Sequence, residues 1–254
     1  MSAHHLRRRG RMVLLGDSIT QLGFGPGGWA SALANYYQRR LDVLNRGYAG
    51  YNSRWVLELL DDEAFVGARV ATVFFGANDA SLASVSPRQF VPLEEYVGNL
   101  RTIVAKIRRS CDAVVLICPP PVDEAQRLAY QKQRYGDRAT GVAERTNDNA
   151  GRYASACAAL AEDLGVPCVN LWDAMQRDAP STWPAFLSDG LHLSPAGNQF
   201  LATMLTTTIA THFPHLAVTP CPHTGHYGTS GSSSPGLRPD APWHDGLSGA
   251  EAEE

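Results

Sequence analysis

Five short apolar runs, each followed by a stretch with helical spacing, organise this chain from residue 12 to residue 213. The runs cover residues 12–15, 42–45, 70–75, 113–118 and 167–171. Strands buried on both faces give continuous apolar runs of this kind, and parallel strands need a crossover, usually helical, between them. Between the first two runs, Trp29, Leu33, Tyr36, Tyr37 and Leu41 recur at three-to-four spacing, the mark of an amphipathic helix. Ser53 is expected to cap a second helix that places Trp55, Leu59 and Leu60 on its apolar side. Residues 93–109 repeat the pattern with Leu100, Ile103, Val104 and Ile107. Residues 145–164 do so with Tyr153, Cys157, Leu160 and Leu164, and residues 195–213 close the series. The pattern predicts a three-layer α/β/α sandwich around a five-stranded, mainly parallel sheet.

Two segments break this rhythm. Residues 122–144 follow Pro119-Pro120-Pro121 and are polar and charged, with Tyr130 and Tyr135 interspersed. They read as a surface excursion carrying a helix, either a wall or lid over a site or a tolerated insertion. Residues 218–254 are rich in Gly, Pro and Ser, which predicts a disordered tail. Cys221, His223 and His226 lie there at spacings that echo a zinc site but have no fourth ligand nearby, so no metal is expected. The expected organisation is a flexible basic arm over 1–11, one domain over 12–217 and the tail. Within the arm, Arg7, Arg8, Arg9 and Arg11 form a small cluster with no apolar signal core behind it.

The net charge of −3 gives no reason to expect nucleic acid, since polyanion binding needs a basic surface. No stretch approaches the roughly 20 apolar residues that cross a bilayer. Five cysteines without secreted-scaffold spacing point to a reducing, cytoplasmic setting. The sequence leaves homo-oligomerisation open.

The chemistry lies in the turns that leave the apolar runs. Ser18 stands in Gly16-Asp17-Ser18-Ile19-Thr20 after the first, Gly50 after the second and Asn78 after the third. Asp189 and His192 come after the last. In a parallel sheet all five fall on one edge, where open α/β folds bind their ligands. A serine hydroxyl needs a base to take its proton and an acid to orient that base. Ser18 is therefore read as nucleophile, His192 as general base and Asp189 as the orienting acid. The amides of Ser18 and Gly50 and the side-chain amide of Asn78 are candidate donors to a developing oxyanion. Asp17 is given a structural part, accepting backbone hydrogen bonds in the nucleophile turn. Asp79 has no histidine at close spacing and is left out of the triad.

The blocks around Ser18, Asn45-Arg46-Gly47-Tyr48-Ala49-Gly50-Tyr51, Gly76-Ala77-Asn78-Asp79 and Asp189-Gly190-Leu191-His192-Leu193-Ser194 together resemble the four signature blocks of the SGNH (GDSL) hydrolases. More narrowly, Tyr51-Asn52-Ser53-Arg54-Trp55, Phe74-Phe75-Gly76-Ala77-Asn78-Asp79 and Val91-Pro92-Leu93-Glu94-Glu95-Tyr96 are similar to the isoamyl acetate-hydrolysing esterase branch. The resemblance implies a flavodoxin-like sandwich, no cofactor, and hydrolysis of small short-chain esters by water. It gives Ser18, Gly50, Asn78, Asp189 and His192 the same roles. An acetyl-sugar esterase or a thioesterase/lysophospholipase uses the same machinery, and a non-catalytic binding module is the reading from a different class. Phe24, Tyr51, Trp55 and Trp183 lie near the proposed edge, either as an apolar substrate pocket or as core.

Overall fold

A computed structural model describes residues 9–111, 113–220 and 227–229. Residues 1–8 of the expected arm, the Cys221/His223/His226 spacing and residues 230–254 of the expected tail lie outside the described residues. The chain divides into two compact units, one ending at Thr208 and the other beginning at Ile209. Strands β6 (Val218–Pro220) and β7 (Tyr227–Thr229) pair antiparallel within the second unit.

The first unit holds a five-stranded sheet of β1 (Gly10–Gly16), β2 (Leu41–Gly47), β3 (Ala68–Phe74), β4 (Val114–Ile117) and β5 (Cys168–Val169). All four neighbouring pairs are parallel, in the order β2-β1-β3-β4-β5. The chain runs from β1 out to β2 and then returns across β1 to build β3. That reversal makes the carboxyl ends of β1 and β3 a topological switch point, the position where doubly wound sheets bind ligands.

Register explains why the strands carry so few polar residues. Val13 pairs with Ala71 and Leu15 with Val73, while Ala71 and Val73 in turn pair with Val114 and Leu116. These six side chains share one face and bury among Val56, Tyr96, Leu100, Ile103, Tyr153 and Leu160. The residues covering them come from α3 (Ser53–Leu59), α4 (Leu93–Ile107) and α6 (Asn147–Leu164). The alternate residues, Met12, Leu14, Thr72, Phe74, Val115 and Ile117, are also buried, because helices cover the other face as well. There Trp29 of α2 (Trp29–Tyr36) meets Phe74 edge-on with ring centroids 6.3 Å apart. The Trp29 amide donates to Asn198 on α8 (Pro195–His212), which ties those two helices together.

The differences from the sequence reading are local and have physical causes. Helix α3 begins at Ser53, but its cap is Asn52, whose side chain accepts from the Trp55 amide. Ser53 is instead buried as the first helical residue. A short helix α1 (Ser18–Gln21) starts in the turn over residues 16–20 itself, and α7 (Leu171–Asp178) stands between β5 and Asp189. The largest difference concerns residues 122–144. They do carry a helix, α5 (Glu124–Tyr135), but Arg127 and Glu144 from this polar segment are buried against the body of the protein.

Candidate active site

Ser18 is the first residue of α1, directly beyond β1. Asp17 caps this helix: its Oδ1 accepts from the Ile19 amide at 2.9 Å. The cap turns the chain sharply at the sheet edge and leaves the Ser18 hydroxyl half-buried. The Tyr48 amide donates to Gly16 O at 2.8 Å, so the loop after β2 closes on the same turn.

His192 arrives from 174 residues away, and its Nε2 lies 2.9 Å from Ser18 Oγ. Its Nδ1 lies 2.8 Å from Asp189 Oδ2. The loop that presents this pair is fixed by the same aspartate, whose Oδ1 accepts from the Leu191 and His192 amides at 3.0 and 2.7 Å. Gly190, between them, adopts φ +81°, which allows so tight a turn. Burial works to raise the proton affinity of Asp189, but the hydrogen bond from the His192 ring, the His192 charge, the His192 amide and the nearby Arg127 charge outweigh it. The result is a carboxyl held down to about 2, ionised throughout the neutral range. A carboxylate beside Nδ1 leaves Nε2 as the acceptor facing the serine.

Gly50 and Asn78 are joined by one side chain. Gln89 Nε2 donates to Gly50 O at 3.2 Å and to Asn78 Oδ1 at 3.1 Å. Gly50 has φ +81°, a conformation that suits glycine. One hydrogen of Asn78 Nδ2 goes to Tyr51 O at 2.8 Å, and a primary amide carries a second. The backbone amides of Ser18 and Gly50 make no hydrogen bond among the described residues.

Two arginines escaped the sequence reading. Arg127 on α5 places its NH1 2.9 Å from Asp189 Oδ2, the oxygen that also faces His192. Its Nε donates to Glu144 Oε1 at 2.7 Å. Arg145 donates to that same Glu144 oxygen at 2.9 Å, to Asn78 Oδ1 at 2.8 Å, to Gln89 Oε1 at 3.0 Å and to Ala77 O at 2.7 Å. All three charged residues are buried. Polar residues at these positions read as surface in one sequence, and only pairing between remote segments reveals that they are buried. Asp79 is buried as well, accepting from the Ser53 amide at 2.9 Å, which ties the Asn78 loop to α3.

The aromatic residues expected at the edge divide. Tyr48, Tyr51 and Trp55 form a ladder with centroid separations of 5.4 and 5.8 Å. Tyr51, Trp55 and Trp183 are partly exposed, and Phe24 is exposed. Among the described residues one group of three metal-capable side chains occurs, Cys118, Cys157 and Cys168, with sulfurs within 4.8 Å of one another. Hydrogen bonding among the three sulfurs, together with burial, pushes Cys118 and Cys157 up, while the hydrogen bonds from those two thiols hold Cys168 down to about 4.

Residues 14–200 match the model of the GDSL-like Lipase/Acylhydrolase family. A GDSL esterase/lipase of Arabidopsis thaliana is 50% identical over 198 residues, which span 75% of this chain and 81% of the relative. The isoamyl acetate-hydrolyzing esterase of Saccharomyces cerevisiae is 36% identical over 215 residues, covering 80% of this chain and 87% of the relative. Among solved structures, a lipase/acylhydrolase from Enterococcus faecalis superposes with a TM-score of 0.62 at 26% identity, covering 80% of this chain and 96% of the other.

Proposed function

The chain belongs to the GDSL-like lipase/acylhydrolase family and is a carboxylic ester hydrolase; from that premise we propose that it cleaves small acetate-type esters by a serine mechanism centred on Ser18. The observation that carries this reading is the unbroken line Ser18 Oγ–His192 Nε2 and His192 Nδ1–Asp189 Oδ2, with separations of 2.9 and 2.8 Å.

In the proposed sequence His192 takes the Ser18 proton as Oγ bonds to the ester carbon. The carbonyl electrons move onto oxygen, and the Ser18 and Gly50 amides and the second Asn78 Nδ2 hydrogen receive that charge. His192 then protonates the alkoxide as the carbon–oxygen bond breaks, and the alcohol leaves an acetyl group on Ser18. Water, deprotonated by the same imidazole, attacks the acyl carbon. Collapse of the second intermediate releases acetate and restores Ser18 with its proton. Asp189, ionised throughout, holds the ring and balances the imidazolium.

The acetate preference takes support from the named activity of the Saccharomyces cerevisiae relative and from the partly exposed Tyr51–Trp55 pair beside Gly50. Among the described residues no helix is long and apolar enough to cross a membrane. A reducing, cytoplasmic setting accommodates the free thiols of Cys111, Cys118, Cys157 and Cys168. The reading is tested by turnover of p-nitrophenyl esters of increasing acyl length, together with fluorophosphonate labelling. Acetate or propionate esters should be turned over fastest and the label should map to Ser18. Preference for long acyl-CoA, or no label on Ser18 in folded protein, would refute it.

A further inference from the structure

Arg127, Glu144 and Arg145 connect the two halves of the site. From Asp189 Oδ2 the path runs through Arg127 to Glu144 Oε1, on to Arg145, and ends on Asn78 Oδ1, with separations of 2.9, 2.7, 2.9 and 2.8 Å. Arg145 also grips Gln89, whose amide holds Gly50 O and Asn78 Oδ1. One end of the path touches the acid that orients the imidazole. The other touches both loops that carry the candidate oxyanion donors outside α1. Two guanidiniums and two carboxylates make the chain of charges neutral overall, which is what allows four of them to be buried together.

We propose that Arg127, Glu144 and Arg145 are positioning residues forming a buried ionic relay that sets the geometry of the acid and oxyanion sides of the site together. The proposal deepens the serine-hydrolase reading and rests on it. Glu144 Oε1 takes hydrogen bonds from both arginines, so neither guanidinium can swing without disturbing the other. Arg145 draws electron density from the Asn78 carbonyl, which makes the Nδ2 hydrogens better donors to a developing oxyanion. Arg127 shares Asp189 Oδ2 with His192, so its charge moderates how strongly the carboxylate favours an imidazolium. The relay also gives residues 122–144 a reason to be seated against the body: α5 delivers Arg127, and the returning chain delivers Glu144 beside Arg145.

The deciding variant is Glu144→Gln, because Glu144 touches neither Ser18, His192 nor any oxyanion donor. Removing its negative charge frees Arg127 to act more fully on Asp189. Ser18, Asp189, Asp17 and Arg127 are the groups around His192 whose charges or dipoles bear on it. Of these, only the effect of Arg127 is strengthened, so the acid limb of the kcat/KM profile should move to lower pH. Arg127→Gln removes the positive charge and should move that limb to higher pH. Both variants should lower kcat by roughly ten- to hundredfold with KM little changed, the size expected when reacting groups are displaced by about an ångström. Arg127→Lys, which keeps the charge but not the fork, should restore the position of the acid limb while leaving kcat low. Melting curves establish that each variant is folded. If Glu144→Gln fails to fold, the paired comparison of Arg127→Lys and Arg127→Gln carries the same test. Wild-type kcat and an unmoved acid limb in folded variants would overturn the relay. If instead the wild-type protein takes no label on Ser18, the serine-hydrolase reading falls, and the two failures are thereby told apart.

Discussion

A serine hydroxyl holds its proton too tightly to attack an ester unaided at neutral pH, so the value of Ser18 lies in its surroundings. With His192 2.9 Å away, Ser18→Ala should lower kcat by up to about 10⁶, leaving only binding and oxyanion stabilisation. The same variant should lose the fluorophosphonate label. Asp189 offers a sharper test, because Asn is nearly isosteric but can present an amide N–H where the carboxylate accepted one. Asp189→Asn should cost about 10⁴ in kcat by favouring the wrong imidazole tautomer. Near-normal turnover would remove Asp189 from its proposed role. Asn78→Ala takes away a donor used most in the transition state and should cost about 10²–10³ in kcat. A change confined to KM would make Asn78 a ground-state binding residue instead. These residues can be singled out from the sequence because glycine-rich turns after strands have few other uses in combination. Arg127, Glu144 and Arg145 cannot, since a buried ion pair between segments 62 residues apart, such as Arg127 with Asp189, has no local spacing to announce it.

Elements tell a similar story. The apolar runs locate all five strands, because parallel strands covered on both faces admit few polar residues. Strand ends are less readable: β5 is only Cys168–Val169 although the apolar stretch is longer, since pairing to β4 ends where Ile117 meets Val169. Helix α7 is hidden in the sequence because its exposed Arg177, Asp173 and Asp178 pair with one another and mask the buried Leu171, Ala174 and Met175. Helix α5 is the element whose placement matters most to the site, and Gly190 fixes that placement. A Cβ on Gly190 would fall 2.4 Å from Asp123 O and 2.5 Å from Arg127 N, both backbone atoms at the start of α5. Gly190→Ala must therefore shift α5 against the Asp189–His192 loop, besides straining φ +81°. The expected cost is about 1–3 kcal/mol in stability. It should be read from the denaturant midpoint at constant slope, with a fall in kcat from the displaced Arg127. A variant as stable and as fast as the parent would show that the two backbones can part without consequence.

For the molecule as a whole, the buried acids pull stability in opposite directions along the pH scale. Asp17 is raised from 3.8 to about 7, chiefly because burial disfavours its charge, against the Ile19 hydrogen bond and the His192 charge. Asp79 is raised from 3.8 to about 6, again chiefly by burial. Between pH 4 and these values the folded protein keeps protons that the unfolded chain has released. Stability must then fall as pH rises through that window. For Asp17 alone the difference amounts to roughly 4 kcal/mol by pH 7. Asp189 has the opposite sign: lowered to about 2, it stabilises the fold above pH 4 and loses that contribution only as pH falls toward 2. Taken together, these three groups favour the fold most near pH 4. Asp17→Asn isolates the Asp17 contribution, because the amide oxygen can still accept from the Ile19 amide while the titration is gone. Melting midpoints between pH 4 and 8 should decline for the parent and decline less for Asp17→Asn, with the remaining fall confined below about pH 6, where Asp79 still titrates. Parallel curves would mean that Asp17 keeps the same protonation state folded and unfolded, and that the nucleophile turn carries no such cost.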